Sequence, residues 1–434
     1  MTLGEVRLWG ASIGNVAWDD SRDIGVFEYL PEYIESGVEL APLKMPLKAG
    51  LYEFQGLNSA TFKGLPGMLA DSLPDKFGNA LIDQWLAESK RTPESFNSVE
   101  RLLYIGTRGM GALEFQPAIN KADTGNISLD IQQLVKLSSE ILVLREHEGS
   151  RLSPKDSDKN VEGIENILAV GTSAGGARAK AIIAWNEVTA EVRSGQISAG
   201  DGFAYWLLKF DGVSNNKDKE LADPKGYGCI EYAYYLMATA AGIDMMESRL
   251  LKENGRAHFM TKRFDRTDDG QKLFMQSLCA LGHYDFNMPG GTSYEQAFLV
   301  TEQLGLGMRA KEQLFLRMVF NVLAYNRDDH TKQISFLMNK AGDWRLSPAY
   351  DVTYAYNPNG QFTSRHQMTV NRKREDIVYA DFIEVAKRQG LKLSAAKRMI
   401  TGVQDALSHW HEYAGEAGVS AQRAESIDRL IAPS

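Results

Sequence analysis

Two polar segments, each set between apolar runs, constrain this chain more than any other feature. One is Asn326-Arg327-Asp328-Asp329-His330-Thr331-Lys332-Gln333, and the other is Ser347-Pro348-Ala349-Tyr350-Asp351. Asp328 and Asp351 therefore stand 23 positions apart. Carboxylates on turns between packed elements are how a rigid scaffold presents charge at a cleft. With 434 residues, 44% of them hydrophobic and 24% charged, the chain can build about two or three packed units around such a cleft.

The charge balance narrows the partners. A net charge of −8, from 48 basic and 56 acidic residues, makes an independent nucleic-acid binder a poor expectation, because phosphate contacts need clustered Lys and Arg. Cys229 and Cys279 are the two cysteines and share no CxxC spacing, so the expectation is two buried thiols in a reducing compartment. The start Met1-Thr2-Leu3-Gly4-Glu5-Val6-Arg7 lacks a basic segment before an apolar core, and no run reaches the ~18 apolar residues of a membrane span. A cytoplasmic protein with no membrane association is expected.

Periodicity suggests an α+β chain, β-rich first and helical later. Residues 1–120 carry short alternating runs at Val6–Gly10 and Ile24–Tyr29, then a punctuated segment Ser72–Asn79 leading into a helix over Ala80–Leu86. A linker is expected over 118–126, a helix capped by Ser128 running to about His147, and a charged loop over 148–163. Strands are expected at 179–185, 203–210 and 258–264, with a helix at 230–241 between them. Helices are expected at 293–304, 310–325, 379–389, 394–413 and 420–431. The domain boundaries that follow are 1–120, 121–265 and 266–434.

Several residues then acquire chemical roles. Phosphoryl transfer needs one carboxylate beside the attacking hydroxyl and another that holds Mg²⁺ against the phosphates, and Asp328 and Asp351 suit those places. Ser173-Ala174-Gly175-Gly176-Ala177-Arg178-Ala179-Lys180 is a glycine-containing loop before a strand. Its Gly175, Gly176 and Ala177 amides could approach phosphate oxygens, although the loop is not GxxxxGK[ST] and a plain hairpin would read the same. Lys209 ends an apolar strand and can reach phosphates, or can simply snorkel to water. Glu231 opens the next helix, where it can pair with Lys209 or suit the helix dipole. Lys262-Arg263-Phe264 falls where a kinase hinge would read adenine through main-chain groups. Five positions after Asp328, where kinases place Asn for the second metal, stands Gln333, with the same donor atom on a longer side chain. Lys332 is placed to neutralise a γ-phosphate and His330 to order the loop, with Asp329 read as a solvated neighbour. The rival assignment makes Asp328, Asp329, His330 and Asp351 a hydrolytic metal site, but leaves the upstream loop and lysine unexplained.

Taken in order, Ser173-x-Gly175-Gly176-Ala177-Arg178-x-Lys180, Lys209, the Asn326–Gln333 run and Ser347–Asp351 resemble the HipA serine/threonine kinase toxins. Leu73-Pro74-Asp75 and Ile105–Ala112 resemble that family's N-terminal domain, so the likeness spans the chain. The resemblance implies a two-lobed protein-kinase-like fold, with a mixed β-rich N-terminal half and an all-helical C-terminal half, that uses ATP and Mg²⁺. It makes Asp328 the catalytic aspartate and Asp351 the metal aspartate, with Lys180 and Lys209 on nucleotide phosphates and Ser173 as an autophosphorylated serine. It further implies a helix-turn-helix HipB-like antitoxin, operator DNA reached only through that antitoxin, and a protein substrate such as an aminoacyl-tRNA synthetase. A nucleotide-binding pseudokinase acting as co-repressor, for which Gln333 speaks, is one alternative. A small-molecule phosphotransferase is another, disfavoured by the long β-rich front.

Overall fold

A computed structural model describes residues 1–119, 129–146, 178–196, 199–213, 217–218, 221–222, 225–267 and 270–431. Ser128, the 148–163 segment, Ser173, Gly175, Gly176 and Ala177 lie outside these residues.

Alternation in the first 30 residues, interrupted by a register shift between Val6 and Arg7, helps build an antiparallel sheet ordered Leu51–Tyr52, Ile24–Tyr29, Ala11–Asp19, Leu3–Leu8, Leu113–Gln116. Its inward face carries Val6, Leu8, Val16, Trp18, Phe27 and Tyr29, all buried. The helix Ser98–Ile105 covers it, opened by a capping box in which Asn97 accepts from the Glu100 amide and Glu100 returns a bond to the Asn97 amide. The helix Lys76–Glu88 leaves this sheet. Its Phe77, Leu81 and Leu86 pack into a core shared with Ala181, Ile183, Trp206, Leu208 and Met260 of a second sheet.

That second sheet is also antiparallel, ordered Ser248–Glu253, Arg256–Lys262, Ala204–Lys209, Lys180–Trp185, Val192–Ser194. Lys180 and Lys209 are direct cross-strand partners and so share one face. The helix Tyr227–Ala240 crosses the sheet at close range. A Cβ on Gly228 would stand 2.4 Å from the Ala257 carbonyl oxygen, so glycine sets how near this helix can come.

The remaining core belongs to helices Tyr227–Ala240, Tyr294–Gln303, Met308–Leu323, Tyr379–Arg388, Leu393–Ser408, Trp410–Ala417 and Ala421–Ile431. One long helix was expected over 394–413. The chain instead breaks at His409, because the buried Trp410 turns inward and its indole donates to Ala424 O at 3.0 Å. The helical half also holds a small antiparallel sheet of Phe274–Ser277, Ser335–Met338 and Trp344–Leu346, whose strands are too short to show a period. No helix among the described residues is long and apolar enough to cross a membrane.

Candidate active site

Lys209 lies at the centre of the site. Its ammonium is 2.5 Å from Glu231 Oε1 and also bonds Asp351 Oδ1. The pair forms because Lys209 ends its strand facing the helix Tyr227–Ala240. That helix starts a turn earlier than the sequence suggested, so Glu231 is in its second turn and only 2% exposed. Burial of both partners removes the snorkelling and helix-dipole alternatives. Desolvation would push the Lys209 ammonium down, but the Asp351 and Glu231 carboxylates hold it above its usual value. For Glu231 burial wins and its carboxyl is raised. For Asp351 burial is overcome by Lys209, aided by Lys180 and Gln333, and the carboxyl is held well below its ordinary range.

Asp351 has φ +56°, in the left-handed region that aspartate enters more readily than most residues. The preceding residue, Tyr350, is held on two sides. Its ring lies against Phe264 at 5.2 Å between centroids, and its hydroxyl donates to Lys332 O at 2.5 Å. Gln333 Nε2 donates to Asp351 Oδ2 at 2.7 Å. The chain just past Asp351 also runs beside the start of the Asp328 loop, through Arg327 N to Ala355 O at 3.0 Å and Ala355 N to Tyr325 O at 3.1 Å. The Asp328 loop and the Asp351 turn are thus packed against each other.

Asp328 accepts a hydrogen bond from Gln367 Nε2 and lies 3.8 Å from His330 Nε2. His330 rests on Phe286 with 5.3 Å between ring centroids, and the Lys332 ammonium sits 4.9 Å above the same Phe286 ring. Asp329 is not the solvated neighbour that was expected. It is 2% exposed, accepts from Gln367 N at 2.7 Å and Tyr294 OH at 3.0 Å, and lies 3.0 Å from His366 Nδ1. Its carboxylate therefore pins the His366–Gln367 segment, which in turn brings the Gln367 amide to Asp328. Nothing in the sequence marks Tyr294, His366 or Gln367, which share no periodic pattern with the loop.

The upstream candidates are placed less uniformly. Lys180 is 2% exposed and its ammonium is 3.0 Å from Asp75 Oδ2, a partner supplied by the N-terminal sheet's own helix. Arg178 lies 3.6 Å above the Tyr227 ring. In the expected hinge, Lys262 N donates to Glu247 O at 2.8 Å and Phe264 packs on Tyr350. Arg263 turns inward. Its guanidinium bonds Asp265 at 2.9 and 2.7 Å and Gly195 O at 3.1 Å, and its amide donates to Tyr205 O at 2.9 Å. Neither group is open to a base, because a buried guanidinium must keep its carboxylate. Asp265 also accepts from Gly111 N at 2.7 Å and Arg266 at 2.8 Å, which ties the hinge to the N-terminal sheet.

Asp351 and Gln333 carry oxygens of the kind a hard cation takes alongside phosphates and waters. Gln333 here turns its Nε2 to Asp351, so its Oε1 would join such a cation with the amide flipped. The hydrolytic alternative fails. Among the described residues no group of three His, Cys, Asp or Glu side chains is placed to hold a metal, and Asp329 faces Tyr294 rather than Asp328.

The fold is two-lobed and protein-kinase-like. The HipA N-terminal domain model matches residues 4–116 and the HipA-like C-terminal domain model matches residues 172–410, and the chain belongs to the HipA family. It is similar in structure to HipA of Shewanella oneidensis MR-1, solved as a toxin–antitoxin complex with HipB and operator DNA. The TM-score is 0.65 at 16% identity, over 99% of this chain and 95% of that one. A weaker likeness is to the proinflammatory kinase CtkA of Helicobacter pylori, with TM-score 0.31 at 10% identity, over 52% of this chain and 88% of that one.

Proposed function

We propose that this chain is an ATP-dependent protein serine/threonine kinase and the toxin of a toxin–antitoxin pair. The observation that carries the proposal is Lys209 bridging Glu231 and Asp351, with Gln333 of the Asp328 loop on the same carboxylate. An aligned lysine–glutamate pair and a metal carboxylate next to the catalytic loop are the parts that phosphoryl transfer requires.

In this scheme Lys209 and Lys180 hold nucleotide phosphates. Asp351 and Gln333 would hold Mg²⁺, which when bound neutralises charge on the transferring phosphoryl group. Asp328, oriented by Gln367, accepts the proton of a serine or threonine hydroxyl as its oxygen bonds the γ-phosphorus and ADP leaves. Lys332 offsets charge on the γ-phosphoryl oxygens and His330 keeps the loop on Phe286. Ser173 is the proposed site of autophosphorylation, which would set nearly two negative charges beside the phosphate site. The partner is a HipB-like helix-turn-helix antitoxin, which also reaches operator DNA, and the protein works in the cytoplasm. The target is a protein hydroxyl, with an aminoacyl-tRNA synthetase as the class to test first.

Expression should arrest growth, and Asp328→Asn should abolish both the arrest and labelling of protein from γ-labelled ATP. Arrest that survives intact in Asp328→Asn would rule out a kinase toxin. Gln333, standing where kinases place Asn, favours one second possibility, a pseudokinase co-repressor. Wild-type protein that binds ATP yet transfers nothing even at high Mg²⁺ would establish it.

A further inference from the structure

The Asp75–Lys180 contact is more than a seam between two domains. Lys180 and Lys209 are opposite one another on adjacent strands, and their side chains are 2% and 13% exposed. Cross-strand partners stand close, and two ammonium groups held that near in a poorly solvated site repel unless each has a counter-charge. Lys209 has Glu231 from the crossing helix. Lys180 has Asp75 at 3.0 Å, and Asp75 comes from the other side of the sheet's core, on the helix that the N-terminal sheet sends into it.

The turn that carries Asp75 is built to hold it still. Asp75 is the N-cap of Lys76–Glu88, and its Oδ1 accepts from Gly78 N at 2.6 Å, which leaves Oδ2 for Lys180. Asn79 Nδ2 donates back to Pro74 O at 2.9 Å and Asp75 O at 2.8 Å, and Arg101 fixes Asn79 Oδ1 at 2.7 Å. One turn earlier, Asp71 accepts from Ser277 N at 2.6 Å and Ser277 Oγ at 2.8 Å. A carboxylate pinned on both flanks cannot follow a moving ammonium, so it dictates where the ammonium points.

We infer that Asp75 is a positioning residue for nucleotide binding: it aligns Lys180 as Glu231 aligns Lys209, so the N-terminal domain completes the phosphate site of the second sheet. This rests on the kinase function proposed above.

The test uses full-length protein and Mg²⁺ with a non-hydrolysable ATP analogue, titrated calorimetrically against wild type, Asp75→Asn, Lys180→Met and the double variant. Asparagine caps a helix as well as aspartate, so Asp75→Asn removes the charge and spares the cap. Its affinity should fall on the order of tenfold as the buried ammonium loses its counter-charge, with a cooperative melt still present at a lower midpoint. The double variant should bind no more weakly than Lys180→Met alone. Wild-type affinity in Asp75→Asn, or losses that simply add in the double variant, would overturn the inference and leave the kinase proposal standing. A wild type that binds no nucleotide would overturn both. Should Asp75→Asn not fold, Asp75→Glu replaces it, and its affinity must fall below wild type only when Lys180 is present.

Discussion

Removing the Asp329 carboxylate should cost both stability and activity, although Asp329 is the neighbour of the proposed catalytic residue and not that residue itself. In Asp329→Ala the Gln367 amide and the Tyr294 hydroxyl lose their acceptor inside a closed site, and His366 loses its partner. A buried donor left unpaired costs about 1–3 kcal/mol, so the substitution should destabilise the helical half by about 3–5 kcal/mol. For a cooperative unit of this size that lowers the melting midpoint by roughly 10 °C. Asp329→Asn keeps an oxygen for the Gln367 amide and should cost only about 1 kcal/mol. The Gln367 side chain bonds Asp328, so release of its backbone should also cut phosphoryl transfer by about a hundredfold in Asp329→Ala. Differential scanning fluorimetry and a γ-phosphate transfer assay read the two effects. Midpoints within about 2 °C of wild type for both variants would refute the packing role assigned to Asp329.

Glu231→Gln should leave Lys209 answering to Asp351 alone and reduce transfer by about tenfold or more, read as kcat at saturating ATP. Gln333→Asn should shorten the reach to Asp351 and shift the Mg²⁺ concentration for half-maximal transfer, whereas Gln333→Ala should raise it more. Arg263→Met should destabilise the protein by about 3–5 kcal/mol, because Asp265 is left buried with Arg266 as its remaining cation, and a melt would show it. The Asp351 carboxyl is held below its ordinary value of 3.8, so its contribution to stability is complete above that pH and is lost as pH falls through the lower folded-state value. Acid unfolding of Asp351→Asn should therefore lack a component that wild type shows below about pH 4.

The features legible in the sequence are those written locally. A polar run between apolar runs marks Asp328 and Asp351, and an apolar strand ending in lysine before a helix with an early glutamate marks Lys209 and Glu231. Local pattern singles these residues out, but the contact of Lys209 with Asp351, 142 positions away, is long-range, and their roles toward nucleotide belong to the proposed function. The α+β class and most helices in the second half were legible from period alone. The break at His409 was not, because it is enforced by the long-range bond from Trp410 to Ala424. The burial of Asp329 was hidden for the same reason: a carboxylate beside another carboxylate looks solvated until Tyr294, His366 and Gln367 arrive from distant segments. The inward turn of Arg263 was not legible either, because nothing local separates its bond to Asp265, two positions on, from an ordinary surface ion pair. Asp75 was legible as part of a punctuated segment before a helix, but not as that helix's N-cap, and its bond to Lys180 joins residues more than a hundred positions apart.

The central claim is that Asp351 holds the metal–nucleotide and Asp328 serves the attacking hydroxyl in the same cleft. It is tested most directly by measuring Mg²⁺-dependent ATP binding and γ-phosphate transfer in parallel on Asp351→Asn and Asp328→Asn. The account predicts that Asp351→Asn loses the Mg²⁺-dependent part of binding along with transfer, while Asp328→Asn binds like wild type and transfers nothing. Transfer that persists in Asp328→Asn, or Mg²⁺-dependent binding untouched in Asp351→Asn, would contradict it.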